Sequence, residues 1–421
     1  MDLSQINLIL LVPHGRAGSY FIQSLFDGHQ EIAMFPGAHN HYDLNLERFA
    51  NSSEIAHYFV SEHLHFFASA ASYFSSSEAQ AGDETIEYYN IDTEAFVKAF
   101  VDLLDQACEQ TNRIAWICAH LAFAKVCGQD PSMVRYLFIH NHIKSPDMIA
   151  SYFRDFPDLY YIAPTRDTRE EWSSGQKLIR QRFGDIRLFD QFLEFLKGSS
   201  DIKSNMLASY GRCIDGHCKI VDLARLHLLQ DDAMKQLAAW LGIAYVPCLS
   251  QSTIMGIAWL GNASDGKPIA GFDRSRAKSK YQETLSPTER DLIDYFFSGM
   301  IEVMGYETPS RSLDRKEIYR KIFFRPEPIA WRYRRDKKEL IDLWCRQSPS
   351  RTSRLINSML SLSRILPFRL AQKMGYAYLI LADLSISVSI FLRRYSLKGL
   401  RQMENVSNQF RQTDFDRSDL L

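Results

Sequence analysis

The opening residues constrain the fold most. Ile6-Asn7-Leu8-Ile9-Leu10-Leu11-Val12 is an almost unbroken apolar run, which fits a strand buried on both faces. It leads into Pro13-His14-Gly15-Arg16-Ala17-Gly18-Ser19, and from Tyr20 to Gly28 apolar side chains recur at helical spacing. A strand, a glycine-bearing turn and a helix, in that order, can hold a phosphate. Backbone N–H groups at the helix start point at the anion, and the helix dipole favours negative charge there. Gly18 permits close approach, Ser19 brings a hydroxyl and Arg16 a guanidinium. No Lys-Ser or Lys-Thr follows Gly18, so the GxxxxGK[ST] pattern is absent. Taken locally, the turn fits a plain strand-to-helix connection equally well.

The same alternation continues downstream. Leu159-Tyr160-Tyr161-Ile162-Ala163-Pro164 reads as a second strand, followed by a polar turn and a helical stretch from Thr168. Lys219-Ile220-Val221 reads as a third, ahead of a helix over Asp231 to Gly242. Helical patterns fill 92–110, 145–154, 178–197 and 288–304. Strands separated by helices predict an α/β fold, a three-layer α/β/α core around a central parallel sheet. With 421 residues, 46% apolar and 13% aromatic, the chain has ample material for a large domain and an appendage, and disorder throughout is excluded.

Charge divides the chain where composition does not. The formal net charge is −1, yet Arg311 to Gln402 holds 21 Lys and Arg against 7 Asp and Glu. Prolines 326, 328, 349 and 367 break this stretch into short helices. The expected organisation is a core over 1–309, a basic helical extension over 310–403 and a loosely ordered tail over 404–421. Met374 to Leu392 carries Asp383 in its middle and many serines, which argues against a membrane span. Ala371 to Arg394 has the basic-flanked apolar mix of an interfacial helix, so a polyanion or an anionic membrane surface is an expected partner. No recognised motif accompanies the charge, so nucleic acid is not expected. The seven cysteines form no CxxC pair and are odd in number, which fits reduced thiols rather than a disulfide framework.

A wider window gives the first turn its meaning. Arg16, Gly18, Ser19, Asp27, His29, Glu31 and Ile32 fall where the sulfotransferase superfamily carries its R/K-S-G-T-T/S loop and L-D-x-H-P-E-I helix ending. Ala17, Tyr20 and Gln30 depart from that pattern. Ile162 to Ser174 resembles the family's R-D-P-x-x-x-x-x-S element, with Arg166 and Ser174 at the matching spacing and Thr168 in place of proline. Lys219-Ile220-Val221-Asp222-Leu223, Leu237 to Ile243, Ala258 to Ser264, Leu285-Ser286-Pro287 and Met304-Gly305-Tyr306 resemble later landmarks. The resemblance covers about residues 5–307 and is nearest to the bacterial carbohydrate and tyrosylprotein-type branch.

The resemblance implies a P-loop-like fold and transfer of a sulfuryl group from 3′-phosphoadenylyl sulfate (PAPS), an activity of the EC 2.8.2 class. It assigns Arg16, Ala17, Gly18, Ser19 and Tyr20 to the 5′-phosphosulfate, and Arg166 and Ser174 to the 3′-phosphate. Ser264 becomes a further donor contact. Arg16 and Lys144, the latter in Ile143-Lys144-Ser145-Pro146, would assist the departing oxygen. The acceptor is expected to be a hydroxyl of a carbohydrate or glycolipid. Relatives with a P-E-T-H segment use its glutamate as general base. Here the segment is Pro36-Gly37-Ala38-His39, so the carboxylate is missing and His39, with His41 second, is the expected base. The His-x-His pairs 39/41, 63/65 and 140/142 lack carboxylates at ligand spacing, and no metal is expected. Without a visible leader or N-terminal anchor, the expected location is cytoplasmic, peripheral to the inner face of the membrane. Two other readings stand beside this one: a catalytically silent binder of PAPS or its product on the same fold, and a nucleotide-dependent kinase with a divergent phosphate loop.

Overall fold

The computed structural model describes residues 2–13, 16–39, 41–68, 89–142, 146–183, 191–192, 195–196, 216–259, 261, 271–298, 301, 304–307 and 318. In chain order the principal elements are β1 (Asn7–Leu11), α1 (Ser19–Ser24), β2 (Ile32–Met34), α2 (Ser52–Glu62), α3 (Leu64–Phe67), α4 (Thr93–Asp105), α5 (Asn112–Val126), β3 (Tyr136–His140), α6 (Pro146–Asp155), β4 (Tyr160–Thr165) and α7 (Thr168–Phe183). They continue with β5 (Cys218–Asp222), α8 (Leu223–Leu229), α9 (Asp231–Leu241), β6 (Thr253–Ile254), β7 (Ile257–Ala258), α10 (Tyr281–Thr284) and α11 (Pro287–Phe296).

The chain divides into two compact units. One comprises Met1–Arg166, Ser209–Lys278 and Arg417–Leu421, and the other Asp167–Ala208 and Ser279–Asp416. Apart from Ile318, the stretches 310–403 and 404–421 lie outside the described residues.

The first unit is built on a five-stranded, wholly parallel sheet in the order β2-β3-β1-β4-β5, flanked by helices as the α/β reading expects. Both faces are covered. Ile9, Leu11, Phe138, Ile162 and Val221 join Phe21, Ile22, Leu25, Met234 and Leu237 in one core cluster. The alternate residues Leu8, Leu10, Leu137, Ile139 and Ile220 are equally buried, which is why the strands read as continuous apolar runs. Helix starts are fixed by short polar side chains. Asn51, Asp92, Thr111 and Asp222 each accept a backbone N–H from the first turn of α2, α4, α5 and α8, satisfying donors that have no partner inside the helix.

Strand order sets the position of the site. From β1 the chain leaves toward β2 on one side, and from β4 toward β5 on the other. β1 and β4 are neighbours, so their carboxyl ends border the point where the winding reverses. In open parallel sheets that is where a crevice forms.

In the second unit α7 carries buried charge. Arg169 reaches Asp167 at 2.7 Å and Asp294 at 3.4 Å. Glu289 accepts from Trp172 Nε1 at 3.1 Å and from Gln176 Nε2 at 2.5 Å, while capping α11 through a reciprocal arrangement with Ser286.

Candidate functional site

The turn after β1 comes closest to the reversal point. Gly18 has φ +77°, and a Cβ placed on it would lie 2.5 Å from Cδ1 of Leu223. The residue is therefore glycine for two reasons: the left-handed backbone and the contact. Leu223 opens α8 directly after β5, so the β1 turn reaches past the end of β4 to the far strand. Ala17 and Ser19 are buried, and Arg16 and Tyr20 are half-buried. α1 behind the turn has six residues.

Arg166 follows the last residue of β4. Leu11 and Ile162 are register partners, and Val12 donates its N–H to the Ile162 carbonyl at 3.1 Å. Arg16, in the turn after β1, and Arg166, directly after β4, therefore follow the carboxyl ends of adjacent strands, which lie about 4.8 Å apart. Arg166 acts electrostatically on His227 of α8, as does Arg276 from the short 3-10 turn Arg274–Ala277. Burial pulls the His227 pKa down to about 4. Asp273 opposes this, and the two guanidiniums reinforce it. Sequence reasoning missed Arg276 and His227. The one available signal was the basic pair in Arg274-Ser275-Arg276.

Ser174 is half-buried on α7 and belongs to the second unit, whereas Arg166 belongs to the first. Lys144 and Ser264 lie outside the described residues.

The histidines lie toward β2 and β3. His39 continues β2 in a bridge to Asn141, its N–H donating to the His140 carbonyl at 2.6 Å. Its ring is fully buried, and neither ring nitrogen has a hydrogen-bond partner. Phe35, Phe66, Trp116 and His120 surround it at centroid distances of 4.7–5.9 Å. Burial holds it well below the usual histidine range, and neighbouring imidazoles add to the effect. No solvent reaches it or His140, whereas His41 is exposed.

His140, at the end of β3, is differently placed. Its Nδ1 lies 2.9 Å from Oε1 of Gln23. Gln23 Nε2 donates to the carbonyls of Phe35 and Gly37, both at 2.9 Å. Carbonyls only accept, so the amide orientation is fixed, and Oε1 must receive a proton from His140 Nδ1. The lone pair then sits on Nε2, which is buried without a partner. Burial keeps this ring neutral. Tyr20, in the first turn of α1, stands edge-on to it at 4.7 Å. The 140/142 pair was visible in the sequence, but only as one of three His-x-His pairs lacking carboxylates at ligand spacing. Among the described residues no group of three or more His, Cys, Asp or Glu is arranged to hold a metal ion.

The Asp27, His29 and Glu31 positions are anchors. Asp27 accepts from Thr253 Oγ1 and from the Gly256 N–H, both at 2.8 Å, pinning the β6–β7 hairpin. His29 lies 2.9 Å from the Ala244 carbonyl and accepts from the Glu31 N–H. Glu31 pairs with Arg135 at 2.7 Å.

No family model matches the chain, and no curated protein matches its sequence. Several solved structures are similar to it. The sulfotransferase domain from the curacin biosynthetic pathway is 14% identical, with TM-score 0.40, over 72% of this chain and 99% of that one. The sulfotransferase domain from the Synechococcus PCC 7002 olefin synthase is 13% identical, with TM-score 0.38, over 72% and 97%. Sulfotransferase STF9 from Mycobacterium avium is 12% identical, with TM-score 0.36, over 73% and 79%.

Proposed function

We propose that this chain is a PAPS-dependent sulfotransferase acting on a hydroxyl acceptor, with a carbohydrate or glycolipid as the acceptor class. One observation carries the reading. The two motif arginines, about 150 residues apart in sequence, leave the same carboxyl edge of neighbouring strands at the point where the sheet's winding reverses. Doubly phosphorylated adenosine needs two such cationic points.

In this reading Arg16, Ala17, Gly18, Ser19 and Tyr20 line the 5′-phosphosulfate, and Arg166 and Arg276 hold the 3′-phosphate. Ser174, Ser264 and Lys144 are assigned by motif alone. The acceptor oxygen attacks sulfur and forms a new S–O bond. The bond to the 5′-phosphate oxygen breaks with its electron pair, and the acceptor's proton passes to a neutral histidine. His140, buried as fully as His39, is the favoured proton acceptor because its tautomer is fixed, with the lone pair on Nε2 beside Tyr20. His39 has no such orientation, and His41 stands next in line. A polyanion or anionic membrane surface at the basic extension, and a cytoplasmic location at the inner membrane face, complete the proposal. Among the described residues no helix is long and apolar enough to cross a membrane.

A silent binder on the same fold is the second reading, favoured by Gly37 and by the full burial of both His39 and His140. Calorimetry with adenosine 3′,5′-bisphosphate, without metal, tests the shared premise. Micromolar binding is expected, and Arg166→Ala should weaken it by about 1.5–3 kcal/mol, the scale of a lost charge-assisted bond. Unchanged affinity would refute the 3′-site. Transfer of labelled sulfate across candidate glycans separates enzyme from binder.

A further inference from the structure

We propose that His227 is a third ligand for the phosphate gripped by Arg166 and Arg276, and that it acts as a neutral hydrogen-bond donor through Nε2–H. The inference rests on the donor reading above and adds a residue that no motif points to.

The tautomer follows from one contact. Nδ1 of His227 accepts the backbone N–H of Asp273 at 3.2 Å. Only an unprotonated ring nitrogen can accept, so the single proton of the neutral ring sits on Nε2. The ring plane is also held. It stacks on Phe21 of α1 at 4.7 Å with 23° between planes, and Phe21 is met edge-on by Phe272 at 5.6 Å. The donor therefore has a fixed direction before any ligand arrives.

Three charged groups act on it: Arg166 from the end of β4, and Asp273 and Arg276 from the segment packed on α8. Arg276 is itself steadied by Asp273, Nε to Oδ2 3.5 Å. Two guanidiniums and burial oppose a third positive charge. Protonation would also place a hydrogen on Nδ1, directly against the Asp273 N–H. The ring thus stays neutral and contributes direction rather than charge. An anion with three acceptor oxygens suits two cations and one neutral N–H, and a phosphate monoester supplies that number.

The experiment uses the full chain and adenosine 3′,5′-bisphosphate as probe. Calorimetry compares wild type, His227→Phe and His227→Gln. His227→Phe should bind about tenfold more weakly, the scale of one lost hydrogen bond to a charged group. His227→Gln, whose amide N–H reaches toward the Nε2 position, should recover most of the loss. On wild type, nitrogen-15 spectra of the imidazole should show the neutral Nε2–H tautomer, with that resonance moving when the probe binds. Full affinity in His227→Phe, or an unmoved Nε2–H resonance during saturable binding, overturns the assignment even while the donor reading survives. Absence of any binding by wild type removes the donor reading, and this inference with it.

Discussion

Gly18 carries two constraints at once, a left-handed backbone and the contact with Leu223. Gly18→Ala should cost about 2 kcal/mol or more in urea unfolding. Adding Leu223→Ala should return the contact part and leave the backbone part. His39 makes the opposite case. Its imidazole is enclosed by aromatic rings with both nitrogens unpartnered, so His39→Phe should raise stability by about 1 kcal/mol and leave turnover within a few-fold. His140→Gln should lower turnover by about 10²-fold or more while sparing bisphosphate affinity. If turnover collapses in His39→Phe and persists in His140→Gln, the two assignments exchange places. Arg16, Gly18 and Arg166 were legible in the sequence because each sits in a short motif. Gln23 and His140 were not, because a tautomer is set by partners 117 residues apart. Arg276 and His227 escaped for the same reason: folding alone brings them to Arg166.

At the scale of elements, β1, β4, β5 and α9 lie close to where apolar runs and periodicity put them. β3 went unread because Tyr136 to Ile139 is too short an apolar run to distinguish a strand from the start of a helix. α5 went unread for a different reason. Every residue from Ala115 to Ala124 is buried, so it presents no polar stripe and no amphipathic period. The Asp27 anchor gives a prediction at this scale. Asp27→Ala removes both bonds that fix the β6–β7 hairpin and should cost about 2–3 kcal/mol. Hydrogen exchange should speed up over 252–259, and bisphosphate affinity should stay close to wild type. A loss of affinity as large as that of Arg166→Ala would mean that Asp27 belongs to the donor site after all.

For the whole molecule, the strand order was beyond the sequence. Periodicity tells that strands alternate with helices, not which strands become neighbours. The fold also concentrates histidine. His39, His63, His120 and His140 are all buried. Burial draws His63 down to about 3 and His120 to about 4, with His39 and His140 well below their ordinary value. In the unfolded chain each returns to about 6.5. Below that pH the unfolded state binds more protons, so the stability these rings contribute is complete above pH 6.5 and declines on acidification toward pH 4. For His120 alone the loss at pH 5 is about 2 kcal/mol. With several such rings, circular dichroism should record acid unfolding between about pH 6 and pH 4, and His120→Phe should move the midpoint downward. A protein stable to pH 3 would contradict this.

The reversal of winding between β1 and β4 has a consequence for how such a molecule can diversify. In the proposed function the nucleotide grip is a by-product of chain routing, secured by a few residues at two strand ends. The proposed function assigns no part of that grip to the lengths between Pro36 and Phe67. An ancestor could rewrite those lengths to greet a new acceptor and keep its hold on the donor unaltered.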